Sequence, residues 1–90
     1  NDPQKWDSIL QVVTKSPLDE RSRIAYRAKL LWQALDFPTP PALNGKPTNT
    51  RQLRAELEAT LRLQATFSSI PDERAWYIDQ ANQLRPWSLI

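Results

Sequence analysis

Where the prolines fall decides most of what this chain can fold into. There are eight, and a proline inside a helix or a central strand removes a backbone donor and clashes with the turn before it. Asp2-Pro3 reads as a capping Asp followed by Pro at the first helical position, where the missing N–H costs nothing. Trp6, Ile9, Leu10 and Val13 follow at i, i+3, i+4 and i+7, which predicts a helix over about 3–14. Ser16-Pro17-Leu18-Asp19 ends that helix and starts the next. Ser16 is the expected cap, Pro17 the first helical residue, and Asp19 three residues on makes a near capping box. The second helix is expected over 17–35, with Ile24, Ala28, Leu31, Trp32 and Leu35 on its apolar face.

The stretch from Phe37 to Pro47 carries four prolines, a density that no helix or central strand survives. It predicts a stiff connection over 37–48, with a turn at Asn44-Gly45 and with Phe37 and Leu43 pinning it to the core. A third helix is expected over 50–67, carrying Leu53, Leu57, Leu61 and Ala65 at four-residue steps. Ser68-Ser69-Ile70-Pro71 repeats the cap-and-proline device and opens a fourth helix over 71–84. Asp72 and Glu73 favour the positive end of its dipole, and Ala75, Ile78 and Ala81 pack it beside Trp76 and Tyr77. Arg85-Pro86 is expected to stop that helix, leaving Trp87 to Ile90 as an apolar tail. Nothing alternates with period two over a useful length. The reading is all-α: one domain over 1–90, helix pairs joined by short turns and one Pro-rich connection.

Ninety residues suffice for one small core, which buries about 60% of the surface its unfolded chain exposes. Twelve Lys and Arg against ten Asp and Glu leave a formal charge of +2, too small a surplus to mark a nucleic-acid binder. The chain has no Cys and no His, which excludes disulfides, thiolate nucleophiles, zinc sites of the usual kind and imidazole acid–base catalysis. Its single glycine, Gly45, excludes phosphate-binding loops built on several. No apolar run approaches the roughly 18 residues that a transmembrane helix needs. A start at Asn1 without a signal-like segment reads as an excised or processed piece of a cytoplasmic protein.

Basic residues crowd the second helix as Arg21, Arg23, Arg27 and Lys29, and the third as Arg51, Arg54 and Arg62. An acidic partner could use them, but the spacing favours a solvated helix surface. Asp19 precedes Arg23 by four, and Arg54, Glu58 and Arg62 form a ladder in which each pair contributes about 0.3 kcal/mol. The close carboxylates, Asp72-Glu73 and Glu56 with Glu58, point to different helix sides and do not make a hydrolytic pair. Asp79, Asn82 and Arg85 step by three beside Arg74, a polar stripe suited to hold the terminal segment through backbone carbonyls freed at Pro86. Of four tryptophans, Trp6 and Trp32 fall on apolar faces and are expected in the core. Trp76 and Trp87 are candidate interface anchors, Trp87 either as an exposed ring or, with Leu89 and Ile90, in a docked tail.

Leu43-Asn44-Gly45, Leu53-Arg54 with Glu56, Leu61-Arg62, Glu73-Arg74, Asp79-Gln80-Ala81-Asn82 and Arg85-Pro86-Trp87-Ser88 together form a recognisable series. Over residues 43–90 it resembles the C-terminal end of bacterial protein kinase G-type proteins, with bulkier residues here at Trp76, Tyr77 and Ile78. That resemblance implies tetratricopeptide-like helical hairpins that support protein contacts and self-association, with ATP chemistry in a separate kinase domain. No His-Arg-Asp loop, Asp-Phe-Gly or glycine-rich loop occurs in these 90 residues.

The expected function is therefore a non-catalytic interaction or scaffolding module at the C-terminus of a larger bacterial signalling protein. Its candidate partner contacts are Trp76, Trp87, Arg21, Arg23 and Arg27. A protein partner or self-association is expected, with no cofactor, no metal and no membrane insertion. Two other readings are a structural cap on a helical repeat array and a weak nucleic-acid binder through Arg21, Arg23, Arg27, Arg51 and Arg54. A hydrolase is the least expected.

Overall fold

Capping chemistry sets where each helix begins. A computed structural model describes residues 3–88, with side chains described over 4–85. Four helices follow one another: α1 over Pro3–Thr14, α2 over Glu20–Leu35, α3 over Thr50–Phe67 and α4 over Pro71–Ser88. Among the described residues there is no strand, only an isolated bridge between Leu43 and Lys46. The expected helices are all present, and two boundaries move. α2 starts three residues later than Pro17, because Asp19 rather than Ser16 is its cap: the Asp19 carboxylate accepts from Ser22 N at 3.3 Å and Ser22 Oγ at 2.7 Å. Ser16 Oγ instead accepts from Leu18 N in a local turn. α4 runs past Pro86 to Ser88, since a proline removes only its own N–H from the ladder and leaves those beyond it.

The helices pack in chain order. α1 lies on α2, α2 on α3 and α3 on α4, and among the described residues no other pair comes within 8 Å between Cα atoms. One core joins them: Trp6 and Leu10 from α1, Ala28, Leu31 and Ala34 from α2, Leu53, Leu57 and Leu61 from α3, Ala81 and Leu84 from α4. The four-residue ladder of α3 is buried as expected, through to Ala65. Leu57 alone, fully buried, contributes about 2 kcal/mol by area. The Trp6 ring is buried, and its Nε1 donates to the Leu30 carbonyl at 2.7 Å, fixing α1 on the middle of α2.

The Pro-rich connection is pinned at the two expected residues, Leu43 being buried and Phe37 packed partly buried on the core. Asn44 and Gly45 both have positive φ, 55° and 76°, the signature of a two-residue type I′ turn. Leu43 and Lys46 exchange both backbone hydrogen bonds across it. The Asp7 carboxylate on α1 then accepts from Asn44 N at 2.9 Å and Gly45 N at 2.8 Å. Gln11 Nε2 donates to Asn44 Oδ1 at 2.6 Å, so two side chains of α1 hold the turn.

Several residues expected in the core lie outside it. Trp32 is 38% exposed because it shares a helix face with Ala25, seven residues earlier, and that face of α2 looks toward α4, which does not reach it. Ile9 is exposed, since α1 packs on α2 alone and buries only the Trp6–Leu10 line. Ala75 and Ile78 are exposed as well; the inward line of α4 is Tyr77, Ala81 and Leu84, one position round the helix. The expected Asp19–Arg23 side-chain pair does not form, because Asp19 is spent on capping and Arg23 Nη1 donates to the Ser16 carbonyl at 3.2 Å.

Candidate interaction surface

Since α2 and α4 both lean on α3 with no Cα pair of theirs within 8 Å, a groove runs between them with α3 as its floor. Arg21, Ile24 and Ala25 of α2 form one wall, and Glu73 and Tyr77 of α4 form the other. Gln64 and Phe67 of α3 make the floor, around a cavity of about 40 Å3. Arg21 and Glu73 face each other across the opening at 3.7 Å, with Arg21 59% and Glu73 35% exposed along their side chains. Tyr77 Oη donates to Glu73 Oε1 at 3.5 Å, one helical turn back. Gln64 Oε1 is buried, and no protein donor reaches it.

The surface around this groove is aromatic. Trp76 is 53% exposed and meets the Tyr77 ring edge to face, centroids 5.4 Å apart at 75°. Phe67 is exposed at the floor's end. Ala25 also borders a second, shallow hollow with Ser22, Tyr26 and Lys29, Tyr26 being half exposed. Trp, Tyr, Phe and Arg are the residue types enriched at the centres of protein interfaces.

The residues singled out by sequence are placed as follows. Arg21 lines the groove, and Trp76 meets the ring of Tyr77, which lines it too. Arg27 pairs with Glu56 of α3 at 3.0 Å, and it lines a separate shallow hollow with Arg23, Thr14 and Glu20 between α1 and α2. The side chain of Trp87 lies outside the described residues, as do Leu89 and Ile90. Of the polar stripe, Arg74, Asp79 and Asn82 bond to residues outside it. Arg74 donates through Nε and Nη2 to the Ser68 carbonyl at the end of α3, at 3.3 and 2.7 Å. Asp79 accepts from Gln83, and Asn82 Oδ1 accepts from Arg62 Nη2 at 3.1 Å, with Arg62 also bound to Glu58 at 2.8 Å. Sequence reasoning did not single out Gln64, Phe67, Tyr26 or Tyr77 as surface-forming. For Phe67, Tyr26 and Tyr77 the only signal was the aromatic content, and Gln64 carried none, since nothing local reports how α2 and α4 flank α3.

Among the described residues, no group of three or more Asp or Glu is arranged to hold a metal, and no helix is long and apolar enough to cross a membrane. The Asp19 carboxyl is held below its ordinary value by the Ser22 hydroxyl and then the Ser22 N–H. No protein family, curated protein or solved structure matches this chain.

Proposed function

We propose that this chain is a non-catalytic docking module that binds another protein through the aromatic face around the α2–α4 groove. The observation that carries this reading is Trp76: a large ring left half exposed against Tyr77, which itself lines the groove. Small domains rarely leave several aromatic rings together in water, and such patches serve as interfaces. Arg21 belongs to this face, whereas Arg23 and Arg27 are tied to Ser16 and Glu56 and serve the fold. The resemblance of residues 43–90 supports placing the module at the C-terminal end of a larger bacterial signalling protein of the serine/threonine kinase type. Its tetratricopeptide-like character belongs to the same proposal.

A photoreactive residue at position 76, compared with one at exposed Gln52 on α3, tests the docking face. Covalent adducts in cells from position 76 and none from position 52 are expected. Equal labelling from both, or none from either, overturns the reading. The coding frame upstream of Asn1 tests the parent: Lys/Glu, His-Arg-Asp and Asp-Phe-Gly signatures are expected there, and their absence removes the kinase link.

A further inference from the structure

The Asn44-Gly45 turn carries a chemistry of its own. Of the four asparagines, Asn1, Asn44, Asn49 and Asn82, only Asn44 precedes a glycine. Asparagine is thermolabile because the next backbone nitrogen can attack its side-chain amide, and glycine leaves that nitrogen unhindered. The reaction balances with water alone. Gly45 N gives up its proton to the solvent and bonds to Asn44 Cγ. The Cγ–Nδ2 bond breaks, and the side-chain nitrogen takes a proton back and leaves as ammonia. Water then opens the five-membered imide at either carbonyl, giving aspartate or isoaspartate at position 44.

Asn44 and Gly45 are both exposed, so burial does not protect them. Bonds to two side chains of α1 do. Gly45 N–H donates to Asp7 Oδ2 at 2.8 Å and Asn44 N–H to Asp7 Oδ1 at 2.9 Å, which fixes the peptide whose nitrogen attacks. A carboxylate against that nitrogen also opposes loss of its proton, since two negative charges would then face each other. Gln11 Nε2 donates to Asn44 Oδ1 at 2.6 Å, so the amide under attack is fixed as well. Ring closure has to break these bonds first.

We propose that Asn44 is a self-modification site guarded by α1. While α1 is docked, Asp7 and Gln11 hold position 44 as asparagine; when α1 lifts off the turn, it converts to aspartate or isoaspartate. The conversion opposes redocking. It puts a carboxylate into the turn that the Asp7 carboxylate grips, and isoaspartate adds a backbone methylene for which a two-residue turn has no place. Release of α1 thus leaves a lasting chemical mark in the connection between α2 and α3.

The test incubates the 90-residue chain in warm, mildly alkaline buffer and follows aspartate and isoaspartate at position 44 by peptide mapping and mass spectrometry. Conversion in the folded chain is expected to run at least about tenfold slower than in urea. Asp7→Asn is expected to speed the folded chain about tenfold, and Gln11→Ala by a smaller factor, because each raises the fraction of chains with the turn released. Asn49→Ala weakens the cap of α3 and is expected to leave the rate unchanged, which separates release of α1 from general unfolding. Equal rates in buffer and in urea overturn the guard, and no conversion in urea overturns the site. Slower conversion in Asp7→Asn or Gln11→Ala makes those groups promoters of the reaction, and acceleration by Asn49→Ala as large as by Asp7→Asn assigns the conversion to the unfolded chain. Either result overturns the proposal. If Asp7→Asn does not fold, the comparison of Gln11→Ala with Asn49→Ala decides it.

Discussion

At the scale of single residues, the connection between α2 and α3 depends on one aspartate and one glycine. Asp7 accepts two backbone N–H groups of the Asn44-Gly45 turn, and no other described side chain offers both bonds. Asp7→Ala is expected to cost about 1 to 2 kcal/mol, read by urea unfolding. Gly45 has φ +76°, and a Cβ there would meet nothing within 4 Å. Gly45→Ala therefore isolates backbone strain without a packing change, and a loss of about 1 kcal/mol is expected in the same measurement. The turn itself is legible in the Asn-Gly pair, because few residue pairs tolerate two positive φ values. That Asp7 grips it from 37 residues away is not legible, since the bond depends on where α1 lies against the connection.

At the scale of the elements, the two visible side-chain caps differ in how they answer to pH. Asn49 caps α3 by accepting from Gln52 N at 2.8 Å, and Asn49→Ala should cost about 1 kcal/mol at any pH. Asp19 caps α2 through an ionised carboxylate whose pKa is lowered in the folded state, first by the Ser22 hydroxyl and then by the Ser22 N–H. Protons then bind the unfolded chain more readily, so the cap's stabilisation is full above the ordinary carboxylate value. It is lost as pH falls through the lowered one. In melts from pH 7 to pH 2, the gap between wild type and Asp19→Asn should close toward the acid end, while the Asn49→Ala gap stays constant.

The helices themselves were readable because α3 repeats leucine every four residues and the prolines mark the other starts. Faces were harder to assign. Leu31 and Trp32 of α2 are neighbours with equal apolar claims, and only the position of α4 decides that Leu31 is buried and Trp32 is not. In α4, Ala75, Trp76, Tyr77 and Ile78 run consecutively, so no clear apolar stripe tells Ala75 and Ile78 from Tyr77 and Leu84 as the inward residues.

At the scale of the whole molecule, the extents of 37 × 35 × 18 Å describe a slab in which each helix packs on its chain neighbours. That layering leaves one face of α2 and one of α4 without a helical neighbour between them, and the aromatic surface lies there. The groove could not be read from sequence, because Arg21, Gln64 and Glu73 are far apart in the chain and meet only through how α2 and α4 flank α3. The account turns on two tryptophans with opposite jobs. Trp6 is 2% exposed and hydrogen-bonded to α2, while Trp76 is 53% exposed against the ring of Tyr77. Urea unfolding of Trp6→Ala and Trp76→Ala side by side is the most direct test. The expected result is a loss of about 3 to 5 kcal/mol for Trp6→Ala and of about 1 kcal/mol or less for Trp76→Ala. Equal losses would make Trp76 a part of the fold and contradict a surface kept for a partner.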